Sequence, residues 1–179
     1  MHAFTFQTAR LQARPLTTSD EDLFVQLYTD EETMRFIGAP LSPERARASF
    51  VSAVRGMSRD PIERLFLTMV EQQTGDAVGF CCLQNFDRER RRAEGGIMIL
   101  PAARTHGYSK EIYIGLIPQV FARLPVDEIW VQFARDHLTT QRAITAIGFI
   151  PNEQADSRDG TSEKRIWSVY RDSWRPPAV

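Results

Sequence analysis

Between Arg10 and Leu16, apolar and polar residues alternate briefly (RLQARPL), which predicts a first strand. The period then changes. In TTSDEDLFVQLYTD, residues Leu23, Phe24, Leu27 and Tyr28 fall on one helical face, and Thr18 with Glu21 has the spacing of a capping box. After a Gly-Ala-Pro break, Ser42 is placed to cap a second helix with Pro43 at its first position, and Ala46, Phe50 and Val54 share a face. Strand-like runs follow at RLFLTMVEQ (Arg64 to Gln72), AVGFCCLQNF (Ala77 to Phe86) and AEGGIMIL (Ala93 to Leu100). The turn QTGD between the first two predicts an antiparallel hairpin. The charged stretch DRERRRAE reads as a solvated hairpin tip, because its signs alternate too closely to build a basic patch.

A helix is expected from Tyr108 to about Arg123, with Ile112, Leu116 and Val120 in register and Ile114, Ile117 and Phe121 widening the apolar surface. Pro118 removes a hydrogen bond to the carbonyl of Ile114 and predicts a kink. VDEIWVQF (Val126 to Phe133) reads as a strand, LTTQRAITAIGF as a helix ending at Gly148, QADSRDGTSE as a polar loop, and KRIWSVYR (Lys164 to Arg171) as a last strand before a frayed PPAV tail. Strand, two helices, three mostly antiparallel strands, helix, strand, helix, strand is the order of a mixed α/β, or α+β, fold. It is expected to form one domain over residues 1–179.

Composition narrows the picture modestly. The 179 residues are 42% hydrophobic and 25% charged with a formal net charge of -1, so a nucleic-acid partner is not expected. No run is long enough to span a membrane, and MHAFTFQTAR lacks the pattern of a signal peptide, so a cytoplasmic location is expected. Cys81 and Cys82 are adjacent and would point to opposite sheet faces, which argues for packing rather than a disulfide. No spacing of His, Cys or carboxylates suggests a metal.

Candidate chemistry gathers around LPAARTHGYSKE (Leu100 to Glu111). The pair Gly95-Gly96 sits inside the preceding strand, where glycine often marks a close approach by a ligand or another backbone. The strand runs through Arg104, Thr105, His106 and Gly107 into a helix start at Tyr108 and Ser109. Free amides and a positive dipole end there suit a phosphate. An ordinary strand-to-helix turn explains the loop equally well when it is taken alone.

The chain resembles the acyl-CoA N-acyltransferases of the GNAT superfamily, in particular the branch with the ribosomal-protein N-terminal acetyltransferases. The similarity runs from about Thr8 to Trp174. TARLQARPLTTSDEDLFVQLYTDEETMRFIG looks like the opening strand and helix, and GDAVGFCCLQNF like the central hairpin. AEGGIMILPAARTHGYSKE looks like the acetyl-CoA strand and pyrophosphate loop, DHLTTQRAITAIGF like the late helix, and WSVYRDSW like the closing strand.

This resemblance implies a GNAT-like fold with a splayed strand pair. Acetyl-CoA as the acetyl donor, with no metal, would lie between Ala93–Leu100 and Val126–Phe133. Backbone groups of Ile97 and Ile99 would meet the pantetheine arm, which the glycines would help by permitting close approach. Amides from Arg104 to Ser109 would hold the pyrophosphate. Glu94 would be the base for an attacking amine, or a structural partner of Arg91 or Arg92. A backbone amide near Ile97 to Ile99 would meet the oxyanion. Thr140 would face the CoA sulfur or simply occupy a helix start. Phe36 and Ile37 would border the acceptor site or belong to the core. The partner would be an amine-bearing small molecule or a protein N-terminus, and the assembly a monomer or homodimer.

Departures from the family pattern fall in the cofactor motifs. Thr105 replaces the first loop glycine, Ala102 occupies the upstream basic position, and His137 stands where an asparagine is usual. His137 could replace the asparagine's hydrogen bonds, act as a base, or be an ordinary loop residue. These departures motivate a second reading, a catalytically silent binding or regulatory module with weakened CoA binding. A different acyl donor on the same scaffold is a third.

Overall fold

The computed structural model describes residues 4–152 and 164–177. The QADSRDGTSE stretch and the last two residues of the tail lie outside the described residues. Strands β1 (Phe6–Gln7), β2 (Leu11–Pro15), β3 (Leu65–Glu71), β4 (Ala77–Asp87), β5 (Arg92–Ile99), β6 (Glu128–Ala134), β7 (Ile150–Pro151) and β8 (Lys164–Tyr170) form one sheet in the order β1-β2-β3-β4-β5-β6-β8-β7. Every neighbouring pair is antiparallel except β5 and β6, which run parallel. The helices are α1 (Glu21–Thr29), α2 (Glu31–Met34), α3 (Pro43–Met57), α4 (Tyr108–Arg123) and α5 (Leu138–Thr145).

Strand alternation divides the sheet between two cores. Phe66, Phe80, Cys82 and Met98 pack with Phe24 and Leu27 of α1 and Phe50 of α3. On the other face, Leu67, Met69, Cys81 and Leu83 pack with Ile112, Leu116, Ile117 and Val120 of α4. The adjacent cysteines therefore enter different cores, as their alternation predicts, and both are free and buried. Burial pushes the Cys82 thiol up to about 12, so it is held as a packing group.

Several local expectations shift. The capping box lies one residue earlier than Thr18 and Glu21. The Thr17 amide and hydroxyl donate to Asp20 Oδ2 at 2.8 and 3.0 Å. Asp20, 4% exposed, is also gripped by a forked Arg14 at 2.8 Å on each oxygen. That second partner, reached from β2, selects Asp20 over Glu21. Helix α5 stops at Thr145, and Gly148 follows in a left-handed conformation (φ 99°) that turns the chain out of it. Helix α4 passes through Pro118 as one element.

The parallel pair decides the architecture of the site. Its ladder has the register Arg92↔Glu128, Ala93↔Ile129 and Glu94↔Trp130 and then ends. Both strands continue, β5 to Ile99 and β6 to Ala134, each still paired on its outer side with β4 or β8. Beyond Glu94 and Trp130 the two strands part, and this is the splayed pair that the family resemblance implies.

Candidate active site

The parting strands enclose a cleft of about 570 Å³. Gly95 to Ile99 line one side, Val131 to Phe133 the other, and Phe36, Ile37, His137 and Thr140 stand around it. The Leu100 amide donates to Val78 O at 2.9 Å across the β4 edge. Backbone direction alternates along a strand, so the amides and carbonyls of Ile97 and Ile99 turn the other way, into the gap. The Ile99 carbonyl accepts from Arg104 Nε at 3.2 Å.

Glu94 sits where the strands part and is 6% exposed. Asn85 Nδ2 donates to its Oε2 at 2.6 Å, and Gln132 Nε2 to its Oε1 at 2.8 Å. The expected alternative partners are engaged elsewhere: Arg91 pairs with Asp127 and Arg92 with Asp87. Two neutral amides therefore fix the carboxylate while each oxygen keeps a lone pair for another partner. Asn85 reaches it because β4 is irregular between Gln84 and Asp87, with Asn85 at φ 51°. Asparagine tolerates that conformation better than most residues.

The loop before α4 forms a 3-10 turn over Pro101–His106. Gly107 then caps α4 at φ 74° and ψ 15°, and a side chain there would meet nothing closer than Arg10 Nη2 at 4.0 Å. The left-handed turn the family pattern expects is thus made by Gly107 alone. Thr105 keeps an ordinary negative φ, because Asn85 and Arg91 are the non-glycine residues with positive φ among the described residues. The amides of Tyr108 and Ser109 belong to the first turn of α4 and have no partner within that helix.

Of residues 101–109, Arg104 lines the cleft. Its guanidinium reaches Glu32 Oε1 at 3.0 Å and Thr33 Oγ1 at 2.5 Å, and lies 3.9 Å from Asp30. The Tyr108 side chain turns away, buried beside the Glu71 carboxylate to which its hydroxyl donates, with His106 stacked on its ring at 5.4 Å.

The glycine pair has a local explanation that differs from the expected one. A β-carbon on Gly96 would stand 2.9 Å from Cys82 Sγ. One on Gly95 would stand 3.2 Å from Ile129 Cγ2 and 3.4 Å from the Tyr113 hydroxyl. The glycines make room for the protein's own side chains at the point of divergence.

Thr140 lies in the first turn of α5 and lines the cleft. His137 is the residue before that helix, and its ring packs against Phe36 with centroids 4.0 Å apart and planes tilted by 31°. Burial lowers its affinity for a proton, opposed by nearby Asp136, which favours neutral imidazole. Phe36 is half-buried under this contact, and Ile37 is exposed. Glu94, Ile97, Ile99, Arg104, His137, Thr140, Phe36 and Ile37 therefore share one cleft, whereas Thr105, His106, Gly107, Tyr108 and Ser109 stand beyond its lining at the start of α4. Among the described residues no group of three His, Cys, Asp or Glu side chains converges, and no helix is long and apolar enough to cross a membrane.

A family model described as "Acetyltransferase (GNAT) domain" matches residues 10–150, from β2 to the start of β7. The chain belongs to the GNAT acetyltransferase family. This GNAT acetyltransferase is 22% identical over 171 residues to a Bacillus licheniformis protein named "Uncharacterized N-acetyltransferase p20", with 93% of each chain covered. Its fold is that of a Vibrio cholerae spermidine N-acetyltransferase solved with CoA and spermine (TM-score 0.75, 14% identity, 92% and 97% of the two chains). It matches the ribosomal α-N-protein acetyltransferase RimL, solved with coenzyme A, at a TM-score of 0.78 with 13% identity over 95% and 99% of the two chains.

Proposed function

We propose that this GNAT protein, acting as one domain over residues 1–179, moves an acetyl group from acetyl-CoA to a primary amine by direct attack. The observation that carries the reading is the open β5 edge: amides and carbonyls of Ile97 and Ile99 face the gap, Gly107 lies open at one end, and Glu94 stands at the other. Acetyl-CoA supplies the thioester, and the CoA-bound structures of similar fold support it as the donor.

The chain's own groups divide the work. Amides between Arg104 and Ser109 hold the pyrophosphate, and the Ile97 and Ile99 backbone holds the pantetheine arm. The acceptor enters past Phe36 and Ile37, with His137 positioning Phe36 through their ring contact. A lysine-type amine has a pKa near ~10.4 and arrives protonated. Glu94 takes that proton, directly or through a water, because its two amide partners hold the carboxylate at the divergence without neutralising it. Thr140 donates toward the departing sulfur. The named relatives act on a polyamine or a ribosomal protein, and either acceptor type, small amine or protein N-terminus, fits this reading.

Calorimetric titration with acetyl-CoA, followed by labelled acetyl transfer to a panel of polyamines, amino sugars and N-terminal peptides, tests it. Wild-type protein is expected to bind. Gly107→Glu is expected to abolish binding by filling the cradle with negative charge. Glu94→Gln is expected to bind acetyl-CoA normally and lose about 10²- to 10⁴-fold in kcat. Folded wild-type protein that binds no acetyl-CoA, or binds it and turns over no amine in the panel, overturns the proposal.

A further inference from the structure

We propose that Tyr113 is a catalytic residue, its hydroxyl donating a hydrogen bond to the thioester oxygen as negative charge develops there. The role rests on the acetyl-transfer reading above. Tyr113 lies in the second turn of α4 and is 3% exposed. Its ring packs edge-on against Phe149, with centroids 5.7 Å apart and planes at 81°. That packing carries the hydroxyl to the floor of the cleft. There it lies 3.4 Å from the position a β-carbon on Gly95 would take. Gly95 is the first residue of β5 past the last paired one, Glu94, so the hydroxyl sits where the strands part.

The hydroxyl makes no hydrogen bond to another described residue. Among the described residues the sealed side-chain polar atoms without a partner are Thr68 Oγ1 and Trp130 Nε1, so the Tyr113 hydroxyl is reachable from the cleft rather than enclosed. A core position here would be served as well by phenylalanine. The hydroxyl instead opens onto the cleft that receives the reacting group.

The opposite approach of Tyr113 and Glu94 gives the arrangement its chemical sense. Tyr113 rises from the α4 side of the sheet, in the core that also holds Cys81, Leu83 and Ile129. Glu94 alternates with Gly95, so its side chain emerges on the other face, where its Asn85 and Gln132 partners lie. The amine nitrogen forms a bond to the carbonyl carbon, and the carbonyl π pair moves onto oxygen. Glu94 has by then taken the ammonium's first proton, and the second passes from the nitrogen of the adduct to the departing sulfur. The oxyanion collapses, the carbon–sulfur bond breaks, and CoA leaves as its thiol. Tyr113 keeps its proton throughout and acts only as a donor to the oxygen. Burial raises its phenol well above the ordinary value of 10.0, so at neutral pH it remains an O–H donor. A preorganised donor in a site shielded from water is worth far more than one in solution.

Tyr113→Phe keeps the ring against Phe149 and removes one oxygen. The expected result is a fall in kcat of about 10²-fold, with the Kd for acetyl-CoA and the melting temperature unchanged. The second readout is the infrared carbonyl stretch of bound acetyl-CoA labelled with carbon-13 at the carbonyl. In wild-type protein it should lie at lower wavenumber than in Tyr113→Phe, because the hydrogen bond weakens the C=O bond. A variant with kcat within about twofold of wild type, or with the same carbonyl stretch, overturns the role of Tyr113 while acetyl transfer itself stands. Wild-type protein that binds no acetyl-CoA overturns both.

Discussion

The two ends of the β5–β6 pair are built in opposite ways. At the closed end, the Arg91 carbonyl accepts from the amides of Asp127 and Glu128 at 2.6 and 3.2 Å, and three residue pairs of parallel ladder follow. Asp127 lies between the guanidinium groups of Arg91 and Arg171. Arg171 also donates to the carbonyls of Phe121, Leu124 and Val126, tying the end of α4 to the start of β6. At the open end there is no ladder, two glycines occupy β5, and the Ile99 carbonyl is met by a side chain, Arg104. The contrast shows what keeps a cleft open inside a continuous sheet. Each strand is held along its outer edge and the pair is clamped at one end, so the unpaired backbone beyond the clamp is available to a ligand.

The largest expected effect comes from breaking the clamp. Arg171→Ala removes donors to three carbonyls and one carboxylate at once. It should destabilise the fold by about 3 kcal/mol, since hydrogen bonds to charged groups are worth about 1.5–3 kcal/mol each and only part of the set is regained from water. Thr140→Ala at the open end should cost under about 0.5 kcal/mol. Urea denaturation of the two variants measures the difference. A loss below about 1 kcal/mol for Arg171→Ala would mean that the ladder, rather than the clamp, holds the closed end.

This contrast also marks what the sequence discloses. The strands themselves, the hairpin, the glycine pair and the Gly107 helix start are all local patterns, and each is found close to where its period or turn residue puts it. The parting of β5 from β6 is not local. Both segments read as strands to their ends, and only the resemblance to a family pointed to a gap between them. Elements of two to four residues, β1, α2 and β7, are too short to show a period. Asn85 and Gln132 become partners of Glu94 through register and a bulge, which one strand's sequence cannot express, although an asparagine inside the apolar run AVGFCCLQNF is the kind of residue that accompanies an irregular strand. Tyr113 was hidden for a different reason. An aromatic at helical spacing reads as core, and its ring is core; only the destination of its hydroxyl is functional.

A smaller effect is expected at the open end, where Arg104 occupies the edge that the donor needs. Its guanidinium is held by Glu32 and Thr33 of α2 while its Nε engages the Ile99 carbonyl. Glu32→Gln should loosen this anchor and tighten acetyl-CoA binding by about twofold to fivefold. A larger change is not expected, because the pair is partly exposed (side chains 32% and 73%), and such pairs are worth at most about 1 kcal/mol. Isothermal titration of wild type and variant decides it. Weaker binding by Glu32→Gln would mean that α2 presents Arg104 to the ligand rather than withholding it.

The smallest effect returns to the clamp and is confined to acid. Hydrogen bonds from Arg91 and then Arg171 lower the Asp127 carboxyl from 3.8 to about 2 in the folded chain. A carboxylate lowered by folding contributes its stabilisation fully above the unfolded value. It loses that contribution as pH falls through the folded value, because the unfolded chain takes up the proton first. The melting temperature of wild-type protein should therefore exceed that of Asp127→Asn by a constant margin above about pH 5, with the margin shrinking as pH falls toward 2. If Asp127→Asn instead runs parallel to wild type down to about pH 2, the paired arginines hold the closed end through the backbone carbonyls they reach, and the carboxylate between them contributes charge balance alone.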